Sequence, residues 1–225
     1  MKNCFVLLML FILLLTPGIH AQHQVGIIGG VNIAKLNTVI ENVNRDVESI
    51  TGFCIGAVYS YNFTQNFAIQ FEPMYILNGG KILQNAHDPN IDVKVSSINL
   101  PLLLKVSLGE KINPYLIGGT SVGIILSSES VSNANTVSLE GDLESVTNTF
   151  SFSLTFGAGI NIPLWVGNLF IEGRYDLGLT NQIKDGTVEW KYGNVTYDTT
   201  ELNTNETKFN FRNIQVMIGY SIPIM

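Results

Sequence analysis

Residues 151–163, SFSLTFGAGINIP, place an apolar residue at every second position. The positions between them carry serine, threonine, glycine and asparagine. Successive side chains of a β-strand point to opposite faces, whereas the side chains of a helix repeat about every 3.6 residues. The stretch therefore predicts a β-strand with one apolar face and one polar face. The fold then depends on how many such strands the chain contains and on which face lies inside.

Eight segments of the 225-residue chain alternate in this way between turn residues. Each is long enough to cross a bilayer at a tilt, which takes about 9 to 11 residues. No helical period competes with them, although the first and fifth segments are rich in glycine and their phase is ambiguous. The predicted strands comprise residues 24–36, 52–62, 67–78, 95–106, 114–126, 149–162, 169–180 and 209–222.

The composition of the two faces indicates which one is inside. A soluble barrel shows water a face with many charges, but the polar face here consists mainly of Gly, Ser, Thr and Asn. The apolar face is bulky and aromatic, and its charges, Lys35 and Arg212, fall at predicted strand ends. In lipid, Lys or Arg costs roughly 2–4 kcal/mol at the mid-plane and about 0–1 kcal/mol near the interface. The apolar face is therefore predicted to meet lipid, and the polar face a narrow lumen.

The connections between the eight segments alternate in length: the first, third, fifth and seventh are long, and the others are short. Long extracellular loops and short periplasmic turns are typical of outer-membrane barrels. In lipid, only a closed barrel satisfies every hydrogen bond of a β-strand. The sequence thus predicts an all-β fold, an eight-stranded antiparallel up-and-down transmembrane β-barrel, with both termini in the periplasm.

The first 21 residues read as a secretory signal peptide. Lys2 precedes an apolar run at 5–15, and a Pro-Gly break and Ala21 follow. This run is shorter than the 20 or so residues of a membrane-spanning helix. Residues 22–225 are then expected to form one barrel domain in the bacterial outer membrane. The chain has a net charge of −6 and no basic stripe, so we expect no nucleic-acid partner.

Four stretches resemble a known family. They are SSINLPLLLKVSL at 96–108, INPYLIGGTSVGIIL at 112–126, FIEGRYDLGLTN at 170–181 and NIQVMIGYSIPIM at 213–225. The chain resembles the PorT-type outer-membrane β-barrel proteins of Gram-negative bacteria, often labelled porin-family, whose OmpA-like barrels have eight strands. The resemblance implies an outer-membrane barrel, and for most members no established activity. The family name implies an accessory role in protein export and surface assembly.

Barrels of this kind usually end in an aromatic residue that the insertion machinery reads. This chain ends in Ile224 and Met225 instead, although Tyr220, Ile222 and Ile224 keep the alternating apolar pattern. We therefore expect outer-membrane lipid and the barrel-insertion machinery to be partners of the chain.

Charged residues fall on the predicted inner face, and an unpaired charge in such a lumen would cost several kcal/mol. We therefore expect these side chains to meet in a buried polar network. Two interpretations stay open: the network plugs and stiffens the barrel, or it gates a narrow path for water and small ions. The residues are Glu72, Lys105, Glu172, Arg174 and Asp176.

The long loops offer a second candidate region. The fourth, residues 181–208, carries Trp190, Tyr192 and Tyr197 among polar residues. Exposed aromatic residues on a long loop serve as recognition anchors in some proteins, so an extracellular partner is one interpretation and local packing is the other. The third loop, 127–147, is polar and acidic, which predicts disorder.

The sequence has no G-x-S-x-G, H-E-x-x-H or Walker motif, so we expect neither an enzyme nor a cofactor or metal. His87, beside Asp88, is interpreted as a solvated loop histidine. The favoured function is a non-enzymatic outer-membrane barrel: a structural or surface-interaction protein, or a narrow low-conductance pore. The alternatives are a PorT-like accessory factor and a secreted soluble barrel that binds an apolar ligand. The soluble barrel would need the bulky faces turned inward.

Overall fold

The computed structural model describes residues 22–40, 47–82, 91–109, 112–134, 137–192, 195–202 and 207–224. These residues form β-strands and a single 3-10 turn at Glu144–Val146. The strands are β1 (Gln22–Ile40), β2 (Val47–Asn62), β3 (Phe67–Phe71), β4 (Met74–Ile82), β5 (Ile91–Ser107), β6 (Asn113–Ala134), β7 (Val137–Asp142), β8 (Phe150–Pro163), β9 (Asn168–Gly178), β10 (Gly186–Tyr192), β11 (Val195–Leu202) and β12 (Thr207–Ile224).

Antiparallel pairing connects eight segments in a cycle. The order is β1, β2, β3 with β4, β5, β6, β8, β9 and β12, and β12 pairs again with β1. The β1–β12 ladder joins the two ends of the described chain, from His23 opposite Ile224 to Ile40 opposite Thr207. The predicted eight-stranded up-and-down barrel is thereby confirmed. No helix in the described ranges is long and apolar enough to span a membrane.

The third barrel strand, predicted as one segment at 67–78, is interrupted at Glu72 and Pro73. Proline has no backbone N–H to donate to a neighbouring strand, so it breaks the regular ladder. The backbone at the break still forms hydrogen bonds with the strands on either side. The amide of Ala57 donates to the Pro73 carbonyl at 3.0 Å, and the amide of Glu72 donates to the Pro101 carbonyl at 3.2 Å.

The two faces of the barrel wall separate as predicted. In β3, Phe67, Ile69 and Phe71 are exposed on the outside, while Ala68 and Gln70 are buried. The same alternation gives the whole outer surface its bulky apolar side chains. Such a band is what a lipid-facing surface requires. It also contradicts the soluble-barrel alternative, which needed those side chains inside.

The two ends of the barrel differ. The turn end is defined by connections 63–66 and 164–167 and by the described residues 108, 109 and 112 of a third connection. At 164–167 the chain reverses tightly, and the Leu164 amide donates to the Gly167 carbonyl at 2.7 Å. Gly109 has φ +109°, a conformation that only glycine adopts without strain. Trp165 is fully exposed there. The opposite end, which carries the long connections, is called the loop end.

At the loop end, a small sheet extends the barrel wall. β6 continues to Ala134 and pairs with β7, which bonds to β10, and β10 pairs with β11. The expected disorder of the third loop is therefore wrong for its described residues. The polarity of the loop was not a reliable sign of disorder. The two strands of a hairpin at the rim satisfy each other's backbone hydrogen bonds, so they need no large apolar face.

Candidate functional site

The interior of the barrel holds the candidate site, and β9 supplies its central residues. Because side chains alternate along a strand, Phe170, Glu172, Arg174 and Asp176 all point inward and are all buried. β9 runs from the turn end to the loop end, so these residues lie at successive heights in the lumen. The intervening Gly173 faces outward.

Arg174 bonds two carboxylates from opposite walls of the barrel. Its Nε donates to Glu172 Oε1 and its Nη2 donates to Glu72 Oε2. The side chains in both ion pairs are 1% exposed. The third nitrogen, Nη1, lies 3.7 Å from the sulfur of Met74. A planar guanidinium suits this role because its donors spread in a fixed fork.

Two further side chains complete the arrangement on its turn-end side. The Tyr115 hydroxyl donates to Glu172 Oε2 at 2.8 Å. The Nζ of Lys105 lies 3.8 Å from the centre of the Tyr115 ring, a cation–π contact, and donates to Asn161 Oδ1 at 3.4 Å. We call Glu72, Lys105, Tyr115, Glu172 and Arg174 the charged cluster.

Asp176 lies outside this cluster. Its Oδ1 accepts a hydrogen bond of 2.6 Å from the Thr155 hydroxyl of the neighbouring strand β8. Among the described residues it forms no ion pair. The structure thus joins Glu72, Glu172 and Arg174 directly, places Lys105 nearby through Tyr115, and leaves Asp176 one step nearer the loop end.

Apolar side chains fill the lumen around the charged cluster. Eight strands enclose just enough room for side chains to occupy the interior. Gly159 makes part of this packing possible, since a Cβ there would lie 2.3 Å from Cζ of Tyr115. The buried residues in contact are Ile28, Cys54, Val58, Met74, Ile76, Leu103, Tyr115, Ile117, Phe170 and Met217.

Toward the loop end the lumen contains a small cavity that both polar and apolar side chains line. The cavity has a volume of about 30 Å³, and Asn99, Asp176, Gln182 and Asn213 are among its lining residues. This is room for about one water molecule. The charged cluster therefore separates this small cavity from the turn end of the barrel.

The sequence did not identify Tyr115, Thr155 or Asn161 as partners of the luminal charges. Tyr115 lies in the glycine-rich fifth segment, whose phase was ambiguous, so its inward orientation had no clear signal. The pairing of β6 with β8 sets Tyr115 directly opposite Gly159. A large residue directly opposite a glycine on the neighbouring strand of a narrow barrel is the sequence pattern that could have indicated an inward-pointing tyrosine.

The loop candidates are only partly described. His87 lies outside the described residues. The backbones of Trp190, Tyr192 and Tyr197 belong to β10 and β11, but their side chains lie outside the described part. In the ranges that the structure describes, no three His, Cys, Asp or Glu side chains come together to hold a metal ion.

Comparisons with known proteins agree with the fold. The chain matches the family described as outer membrane protein beta-barrel domain over residues 20–184. The crystal structure of OprG from Pseudomonas aeruginosa is 12% identical, with a TM-score of 0.53 over 90% of this chain and 97% of OprG.

Two other solved barrels are similar at lower scores. Neisserial surface protein A is 13% identical, with a TM-score of 0.46 over 89% of this chain and 97% of that chain. Ail of Yersinia pestis, solved with the heparin analogue sucrose octasulfate, is 13% identical, with a TM-score of 0.42 over 89% and 99%. No curated protein matches this chain in sequence. The family match covers most of the chain, and the chain belongs to the outer membrane protein beta-barrel domain family of the bacterial outer membrane.

Proposed function

We propose that this protein is a sealed, non-enzymatic outer-membrane barrel that acts through the sheet at its loop end. The observation that carries the proposal is the filled interior. Arg174 lies between two carboxylates with its side chain 1% exposed, and apolar residues pack around it. A barrel with such an interior offers solutes no continuous path.

The plug is favoured over the gate by what surrounds Arg174. Moving its guanidinium aside would leave Glu72 and Glu172 buried without a cation, which costs several kcal/mol. The same movement would disturb Met74, which contacts the guanidinium and belongs to the apolar packing. A gate that opens readily needs a smaller free-energy barrier than the cost of moving Arg174. A narrow low-conductance pore is therefore the second candidate.

The loop-end sheet supplies the surface for interaction. β7, β10 and β11 add an ordered platform beyond the barrel wall, and Trp190, Tyr192 and Tyr197 lie on two of its strands. Aromatic residues on a rigid platform anchor protein interfaces. We propose that this platform faces the outside of the cell, that an extracellular partner binds there, and that both termini lie in the periplasm.

Other parts of the proposal concern the surroundings of the barrel. Its outer band contacts outer-membrane lipid, the barrel-insertion machinery assembles it, and nucleic acid is not a partner. No contact in the described residues favours the PorT-like export role over the surface role. The outward position of the bulky side chains opposes the soluble ligand carrier.

Conductance in planar bilayers tests the plug against the pore. The wild-type protein, Lys105→Ala and Arg174→Ala are compared, with Lys94→Ala as a control because Lys94 is exposed on the outer face opposite Glu129. We expect a closed wild type, a closed control, and leak only in the cluster variants that stay folded. A steady wild-type conductance that changes in Lys105→Ala or Arg174→Ala would establish the gated pore instead.

The proposed orientation has its own test. An epitope inserted between β10 and β11 is expected to be stained on intact cells, whereas a tag after residue 225 is expected to be stained only after permeabilisation. The reverse staining would contradict the orientation and the surface role together.

A further inference from the structure

We propose that the small cavity at the loop end of the lumen binds a monovalent metal cation beside Asp176. The cavity, about 30 Å³ in volume, lies between the charged cluster and the loop end. Three independent features point to a cation there: the balance of buried charge, the chemistry of the lining atoms, and the origin of those atoms in the wall.

The buried charges of the described interior do not cancel. Three carboxylates are buried with two cations. The charged cluster is neutral by itself, because Arg174 and Lys105 balance Glu72 and Glu172. Asp176 supplies the remaining negative charge, and its carboxylate receives a single hydroxyl hydrogen bond, from Thr155. A buried carboxylate without a counter-charge costs several kcal/mol, so this position calls for a positive partner.

Three of the residues that line the cavity carry an acceptor oxygen without a donor. Asn99 Oδ1, Gln182 Oε1 and Asn213 Oδ1 are buried and receive no hydrogen bond from the described residues. All three residues line the same cavity as Asp176. Carboxylate and amide oxygens are the ligands that hard cations prefer. One cation would satisfy the three orphaned oxygens and the unbalanced charge at the same time.

The barrel wall holds these oxygens in place from several directions. Asn213 of β12 and Thr155 of β8 are the cross-strand neighbours of Asp176 on either side of β9. Asn99 comes from β5, and Gln182 from the connection after β9. Gln182 is itself fixed, because its backbone N–H donates to the Phe209 carbonyl at 2.8 Å and its side-chain Nε2 donates to the Thr180 hydroxyl at 3.1 Å. The ligand set is therefore built on the wall and does not rest on a single loop.

Charge and size indicate a monovalent ion. Asp176 is the one carboxylate among the lining residues, so a divalent ion would replace an excess of one negative charge with an excess of one positive charge. The volume is close to that of one water molecule, which suits Na⁺ or K⁺ after most of its water is lost. A transition metal is not favoured, because the lining has no His or Cys.

The test measures urea unfolding of the folded full chain in detergent, with NaCl, KCl or choline chloride at equal ionic strength. Choline is too large for the cavity. A ligand that binds only the folded state stabilises it in a saturable way. We expect the urea midpoint to rise and saturate with Na⁺ or K⁺ but not with choline, and the preferred ion identifies the occupant.

Asp176→Asn is expected to abolish the difference between the metal salts and choline. Glu129→Gln removes the same charge from an exposed position and is expected to preserve it. If Asp176→Asn does not fold, Asn213→Leu, which keeps the carboxylate and removes one ligand, is expected to need several-fold more cation for half of the shift.

Three results would overturn the assignment. Equal midpoints of the wild type in sodium, potassium and choline would mean that water or a proton occupies the site. An unchanged cation response in folded Asp176→Asn would place the ion elsewhere. A stronger response to CaCl₂ than to either monovalent salt at equal ionic strength would contradict a monovalent ion.

Discussion

Replacing Arg174 with methionine leaves Glu72 and Glu172 buried in the barrel without the cation that both of them contact. Removing one member of a buried ion pair costs about 3–5 kcal/mol, because the partner keeps its charge and loses its compensation. Methionine is unbranched and apolar, so lost packing contributes little. We expect Arg174→Met to lower the free energy of unfolding by about 3–5 kcal/mol.

A double variant separates the effect of the lost charge from the effect of changed packing. In Glu72→Gln/Arg174→Met, one negative and one positive charge are removed together, and the remaining Glu172 is balanced by Lys105, to which it is linked through Tyr115. The double variant is therefore expected to recover about 0.5–3 kcal/mol of the loss, the range of coupling between residues in contact. Arg212→Met, at an exposed position near the loop end, is expected to change stability by at most about 0.5 kcal/mol.

The assay is equilibrium urea unfolding of the barrel in phospholipid vesicles, followed by tryptophan fluorescence and by the heat-dependent shift of the folded band in gels. A loss below about 1 kcal/mol in Arg174→Met would refute the view that the ion pairs stabilise the interior. A double variant less stable than Arg174→Met would show that charge balance is not the cause.

Two further sets of substitutions test the packing and the lipid face. Gly159→Ala places a methyl group against the Tyr115 ring and is expected to lower the free energy of unfolding by about 1–3 kcal/mol. At Gly173 the atom nearest to an added methyl group lies 4.0 Å away, so Gly173→Ala is expected to be nearly neutral in the same unfolding assay. Val216→Arg, in the middle of the apolar band opposite Gly173, is expected to lower the free energy of unfolding in vesicles by about 2–4 kcal/mol. Ile222→Arg, near the turn end, is expected to lower it by about 0–1 kcal/mol. Equal losses in the two variants would contradict the membrane placement.

The number of strands and their faces followed from the sequence because two different solvents act on each strand. Lipid selects bulky apolar residues such as Ile171 and Tyr175, and the narrow lumen selects small or polar ones between them. The same signal is weak where glycine dominates. This is why the inward position of Tyr115, and with it the full charged cluster, could not be predicted.

The other differences arise where neighbours decide the structure. Pro73 divides the third strand although the alternation continues past it. β7, β10 and β11 are only six, seven and eight residues long, shorter than the roughly 9 to 11 residues that cross a bilayer. Their pairing becomes visible only with their partners in place. The cavity beside Asp176 gathers residues from separate strands, and only the strand register places Asn213 opposite that carboxylate.

Osmotic swelling of liposomes that contain the wild-type protein tests most directly whether the interior is sealed. Folding of the reconstituted protein is first established from its heat-dependent gel shift, and small neutral and charged solutes are then compared with protein-free liposomes. We expect swelling rates no higher than those of protein-free liposomes for every solute. Swelling that rises with the amount of folded protein and falls with solute size would contradict the sealed barrel and establish a pore.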